Sequence, residues 1–135
     1  MMARAPVRFA GYAGLFDIPD ADQDTICKGA FHDTLSNRKS PIPLLWQHRP
    51  DQPIGEIETV YEDHRGLAVI GRVERLQSRA ATLLKSGELS GLSFGYRARE
   101  ARQTHSGRTL LSIDLFEISL VTHPLQYQAR VHLVA

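Results

Sequence analysis

The sequence predicts one β-rich α+β domain, a meander or closed sheet with two or three short helices. Three observations carry this. Short apolar runs recur between turn residues, and most alternate with the period of two that strands require. A sustained helical stripe stands out at Leu76, Ala80, Leu83 and Leu84. And 135 residues, 42% of them hydrophobic, suffice for a core without metals or crosslinks. A single domain is therefore expected over residues 1–135, with its core from about 7 to 133.

Composition narrows the function classes. Sixteen basic against fifteen acidic residues leave a net charge of +1 with no run of one sign, which argues against a dedicated nucleic-acid binder. The lone cysteine, Cys27, excludes an internal disulfide and fits a reducing compartment. No apolar run approaches the roughly 20 residues of a membrane span. The opening Met1-Met2-Ala3-Arg4-Ala5-Pro6 has no apolar signal region. A small soluble intracellular domain is the expectation.

Val7 to Phe16 reads as a first strand, bent or bulged at its glycines. Asp17 to Asp24 is a turn-rich acidic loop. Its aspartates lack the central glycine and closing glutamate of an EF-hand, so a solvated loop is expected rather than a calcium site. Gly29 to Leu35 suggests a short helix with Phe31 and Leu35 on one side. Pro41 to His48 is a short apolar run that its prolines place at a sheet edge or strand start. Arg49 to Pro53 reads as a loop. Ile54 to Tyr61 and Leu67 to Val73 form a hairpin, and the helix of the Leu76 stripe stops at Gly87, a left-handed cap. From Leu92 the alternation returns, with Leu92, Phe94, Tyr96 and Ala98 on one face and Ser93, Gly95 and Arg97 on the other. Leu110 to Val121 is apolar on both alternations, as in a strand buried on both faces. Tyr127 to Leu133 looks like a last strand.

The glycines flanking Ser93 leave open space beside its hydroxyl, which a serine nucleophile needs if a base can reach it. A half-exposed strand serine is the plain alternative. Among the six histidines no pair has helical metal spacing, and there is no Cys-x-x-Cys, so no metal or cofactor is expected. His64 and His105 fall in polar turns. His48 closes the run of Ile42, Leu44 and Trp46, where a firmly held ring can serve as general base. Glu117 lies inside an apolar run, where a carboxylate is costly unless paired, and it suits a histidine that becomes charged. Asp114 competes for that role, and a structural arginine partner is the other use for Glu117. Gly91-Leu92-Ser93-Phe94-Gly95 also matches the Gly-x-Ser-x-Gly elbow, but a strand pattern rather than a helix follows the serine. A Cys27 nucleophile is disfavoured by its acidic neighbourhood.

These residues sit in a wider pattern: Gly29-Ala30-Phe31, Pro43-Leu44-Leu45-Trp46-Gln47-His48, Pro53-Ile54-Gly55, Gly66-Leu67, Leu89 to Tyr96, and Glu117-Ile118-Ser119-Leu120-Val121-Thr122-His123-Pro124. In order and spacing it resembles the prohead (capsid maturation) proteases of HK97-type tailed phages and their gene-transfer-agent relatives, from about Ala10 to Val131. The resemblance implies a serine endopeptidase with a herpesvirus-assemblin-like β-barrel core flanked by short helices. It implies Ser93 as nucleophile, His48 as base and Glu117 as third member. It further implies that the enzyme works inside the assembling capsid in the host cytoplasm. There it cuts the N-terminal scaffolding segment from the major capsid protein and cuts itself. The portal protein and a second copy of the chain remain open as partners, with neither nucleic acid nor membrane. After Pro124 this chain runs Leu125-Gln126-Tyr127 where the family has Ala-Asn-Pro or similar. The reading from another class is a non-catalytic module that docks on capsid protein as an assembly or scaffold-binding factor.

Overall fold

The computed structural model describes residues 6–74 and 78–135, so Leu76 of the helical stripe and Met1 to Ala5 lie outside the described residues. In chain order the elements are β1 (Val7–Leu15), β2 (Asp24–Ile26), α1 (His32–Asn37), β3 (Pro43–Trp46), β4 (Arg49–Glu62) and β5 (Gly66–Val73), then α2 (Ser78–Ser86), β6 (Gly91–Gln103), β7 (Arg108–Val121) and β8 (Val131–Val134). The strands form one eight-stranded sheet in the order β2-β7-β3-β4-β5-β1-β8, with β6 paired to β7 off that path. Neighbours are antiparallel except that β2 and β3 both run parallel to β7. The sheet curls on itself. Leu92 N–H donates to Ala129 O (3.0 Å) and Val131 N–H to Ser90 O (2.8 Å), tying the start of β6 to the start of β8. This is the strand-rich curled architecture expected from the sequence.

Apolar residues from every layer fill the curl. Phe9, Leu44, Ile57, Leu67, Val69, Leu92, Ile113, Ile118 and Leu120 are all buried. Phe31, just before α1, is also fully buried and meets Phe94 edge-on with ring centroids 5.3 Å apart. Burying such a ring contributes about 2–3 kcal/mol. The helix expected from Gly29 begins only at His32, because Gly29 takes a positive φ of 90°, outside the right-handed helical region; the Glu62 carboxylate accepts the Gly29 and Phe31 N–H groups (2.8 and 2.7 Å). The second helix, α2, turns Ala80, Ala81 and Leu84 inward. It ends as expected at Gly87 (φ 80°), with Leu89 N–H bonded to Leu83 O.

Three strand expectations are corrected. First, β4 starts at Arg49 rather than Ile54. Trp46 pairs with Arg49 and Leu45 with Pro53, so Pro50, Asp51 and Gln52 bulge outward, where prolines cost no ladder bond. Second, β7 is not buried on both faces. The β6–β7 register skips Leu111 and Phe116 on β7 and Arg99 on β6. Each skip flips the alternation, so Leu110, Ile113, Ile118 and Leu120 all reach one core although their spacing is irregular. Third, the last strand is only Val131–Val134. Tyr127 is exposed, while Gln126 is buried and clamps β1, accepting from Leu15 N–H (2.6 Å) and donating to Leu15 O and Ile18 O (3.0 and 2.8 Å).

Candidate active site

Ser93 lies near the start of β6, with Leu92 buried on the core face. The expected open space beside it is not there. A Cβ on Gly91 would meet Val121 O at 2.4 Å, and one on Gly95 would meet Glu117 Oε2 at 2.5 Å. The glycines admit neighbours rather than leave room, and Ser93 is only 6% exposed. Its hydroxyl makes no hydrogen bond among the described residues, so the bond to a base that catalysis needs is left open, as it often is without substrate.

The neighbour admitted at Gly95 is the carboxylate of Glu117. Its placement depends on the bulge at Phe116. Without the skipped residue, Glu117 would continue the alternation of Leu115 and turn inward. With it, Ser119 pairs with Ser93 and Glu117 with Gly95, while Leu115 pairs with the inward-leaning Tyr96. Glu117 and Ser93 therefore share one face of the β6–β7 pair.

His48 approaches that face from a third element. It is not the strand residue its alternation with Trp46 suggested. Gln47 and His48 form the two-residue turn between β3 and β4, with φ of 51° and 60°, the positive pair that a type I′ hairpin turn needs. Asparagine and glycine usually occupy such positions, and side chains like these are strained there by about 1–3 kcal/mol each. Contacts to β7 hold them. Gln47 N–H donates to Leu120 O (3.0 Å) and His48 N–H to Ser119 Oγ (3.1 Å). The Gln47 side chain accepts from Thr122 N–H (3.2 Å). Parallel pairing of Leu44, Leu45 and Trp46 with Ile118, Ser119 and Leu120 fixes the register.

The result is a close pair, His48 Nδ1 to Glu117 Oε2 at 2.6 Å. The hydrogen bond to Glu117 raises the His48 pKa above the ordinary histidine value, against an opposing push from burial. With Nδ1–H given to the carboxylate, Nε2 is the ring's proton acceptor. Ser93 stands across from Ser119, about 5 Å between Cα atoms in such pairs. Ser119 in turn accepts the His48 backbone N–H, so Ser93, Ser119 and the His48 turn are neighbours. Asp114, the competing carboxylate, is engaged elsewhere, by Arg97 at 2.9 Å and Arg99 at 3.7 Å. His64 and His105 are exposed in turns. Among the described residues no three His, Cys, Asp or Glu side chains converge as metal ligands would.

Sequence reasoning missed Ser119, Gln47 and Thr122. The only signal for Ser119 was a small polar residue in an apolar run; Gln47 and Thr122 carried none.

Known proteins share the fold and the family pattern of this chain. The HK97 prohead protease (Enterobacteria phage HK97) is 33% identical over 130 residues, covering 91% of this chain and 58% of that protein, so the chain spans a little over half the relative's length. The bacteriophage T4 capsid assembly protease gp21 superposes with a TM-score of 0.67 at 14% identity, covering 84% of this chain and 80% of that one. The KSHV protease superposes with a TM-score of 0.64 at 16% identity, covering 97% and 65%. These two share the fold, which is the herpesvirus-protease fold expected from the sequence. The profile of the caudovirus prohead serine proteases matches residues 3–135, and the chain belongs to that family.

Proposed function

We propose that the chain is a serine endopeptidase that removes the N-terminal scaffolding segment of the major capsid protein during prohead maturation, and that it also cleaves itself. The observation that carries this reading is the 2.6 Å pair between His48 and Glu117, laid over Gly95 on the strand of Ser93. Family membership and the name of the HK97 relative, a prohead protease, support the substrate class. The site of action is then the interior of the assembling capsid, in the host cytoplasm.

In this mechanism His48 Nε2 takes the proton of the Ser93 hydroxyl as its oxygen attacks a peptide carbonyl. Glu117 Oε2 accepts the Nδ1–H bond, keeps the ring in the tautomer with a free Nε2, and stabilises the imidazolium that forms. The proton passes from His48 to the leaving amine, giving an acyl-Ser93 ester. Water, deprotonated by the same ring, then hydrolyses it. A bound carboxylate is needed because the neutral ring alone would leave both tautomers populated.

The test is co-expression with the capsid protein encoded beside this chain, read by intact mass spectrometry. The expected product is a capsid protein shortened at its N-terminus, with Ser93→Ala leaving it full length. Uncut capsid protein in assembled shells, or normal cutting by Ser93→Ala, would overturn the assignment.

A further inference from the structure

We infer that Ser119 is a positioning residue for this reaction, one hydroxyl that sets both the imidazole and the carboxylate; the inference rests on the catalytic reading above. Ser119 is fully buried at the junction of three strands. It pairs with Ser93 across β6–β7 and with Leu45 across β3–β7. Its hydroxyl donates to Glu117 Oε1 at 2.7 Å and accepts from the His48 backbone N–H at 3.1 Å.

A hydroxyl has one proton to give and lone pairs to accept with. Spending the proton on Oε1 leaves Oε2 for His48, which divides the carboxylate between two partners and fixes its rotation. Accepting the His48 N–H ties the turn's backbone to the same oxygen. The ring and its partner are thus located relative to a single atom, which stands opposite the nucleophile. A residue needed only to fill space there would be apolar, since a buried hydroxyl costs free energy unless its bonds are made.

The test compares Ser119→Ala and Ser119→Cys with the wild-type chain. The alanine variant lacks the hydroxyl; the cysteine variant fills its volume with a weaker donor. Three readouts are taken: kcat and KM for capsid-protein cleavage, the acid limb of kcat/KM, and the titration of His48 by NMR in a Ser93→Ala background. Thermal unfolding checks that each variant folds. Ser119→Ala is expected to lower kcat about 10- to 100-fold, the penalty of a displacement near 1 Å, with KM within twofold. Ser119→Cys is expected to fall between. The His48 titration and the acid limb should both move downward, because a carboxylate free to rotate loosens the bond that raises the His48 pKa. Glu117 is the charged group placed against that ring.

Unchanged kcat and an unmoved titration in folded Ser119→Ala would overturn the inference, as would equal rates for the alanine and cysteine variants. If the wild-type chain cleaves nothing, the catalytic reading falls. The NMR comparison, which needs no turnover, then still decides whether Ser119 governs the pair.

Discussion

Gly95→Ala is expected to damage the chemistry while sparing the fold. The new Cβ would lie 2.5 Å from Glu117 Oε2, 2.9 Å from Cδ and 3.0 Å from Cγ. Ordinary contact begins near 3.4 Å, so Oε2 must retreat by about 0.9 Å, the difference between 3.4 and 2.5 Å. The yielding group is the end of a flexible side chain, and alanine is better than glycine in a strand by about 0.5–1 kcal/mol. Overpacking costs about 1–3 kcal/mol, so net stability falls by no more than about 2.5 kcal/mol. The chemistry is less forgiving. Displacement near 1 Å costs about 100-fold, or about 2.7 kcal/mol of transition-state stabilisation. Because the Glu117 bond is what raises the His48 pKa, loosening it lowers that pKa, and the acid limb of kcat/KM moves to lower pH. The variant should be slower yet keep its remaining activity further into acid. The assay is a pH series of cleavage rates beside a thermal melt. Rates within twofold of wild type, or an acid limb that stays in place while the protein remains folded, would refute the reasoning.

The carboxylate assignment has its own discriminating pair. Glu117→Gln should lower kcat by about 100- to 10,000-fold, the upper figure being that of a misassigned tautomer. Asp114→Asn should stay within about threefold, because Asp114 serves Arg97 and Arg99. The same bond has a stability signature, read as a melting midpoint followed through pH. A histidine with a raised folded pKa contributes stability that is fully present below its unfolded value, near 6.5, and is lost as pH rises through the folded value. Wild type should lose a little stability over that window and Glu117→Gln should not. Activity has the opposite sense, since only the neutral ring can act, so the wild-type acid limb belongs above roughly 6.5 rather than at it. Away from the site, Arg108→Ala should destabilise by about 2 kcal/mol in a denaturant titration. It removes both guanidinium bonds to the buried Asp24, at 3.0 and 2.9 Å, that fasten β2 to β7.

Local chemistry made much of this legible in advance. The alternation from Leu92 placed Ser93 on the face away from the core, and Gly87 marked the end of α2. What the sequence concealed is set by partners distant along the chain. Nothing in Gln47-His48 advertises a turn with two positive φ values. Bonds to Leu120, Ser119 and Thr122 impose it. Nothing in Leu110 to Val121 marks Leu111 and Phe116 as the residues the register skips, so an irregular apolar spacing read as burial on both faces. Pro50 and Pro53 read as a loop, yet β4 passes through both: Pro50 lies in the outward bulge and Pro53 pairs with Leu45. Gln126 falls where the sequence departs from the family pattern. Its three bonds to Leu15 and Ile18 show that position at work in clamping β1.

Parallel pairing of β3 with β7 also has a consequence in time. His48 and Glu117 are 69 residues apart, and the turn that aims the ring has no support until β7 exists. Ser93 is synthesised 24 residues before Glu117 (117 − 93), about 1–5 s earlier at ordinary translation rates. During that interval the nascent chain carries a serine and a histidine but no means of coupling them. The proposed activity is thereby withheld until β7 has been made.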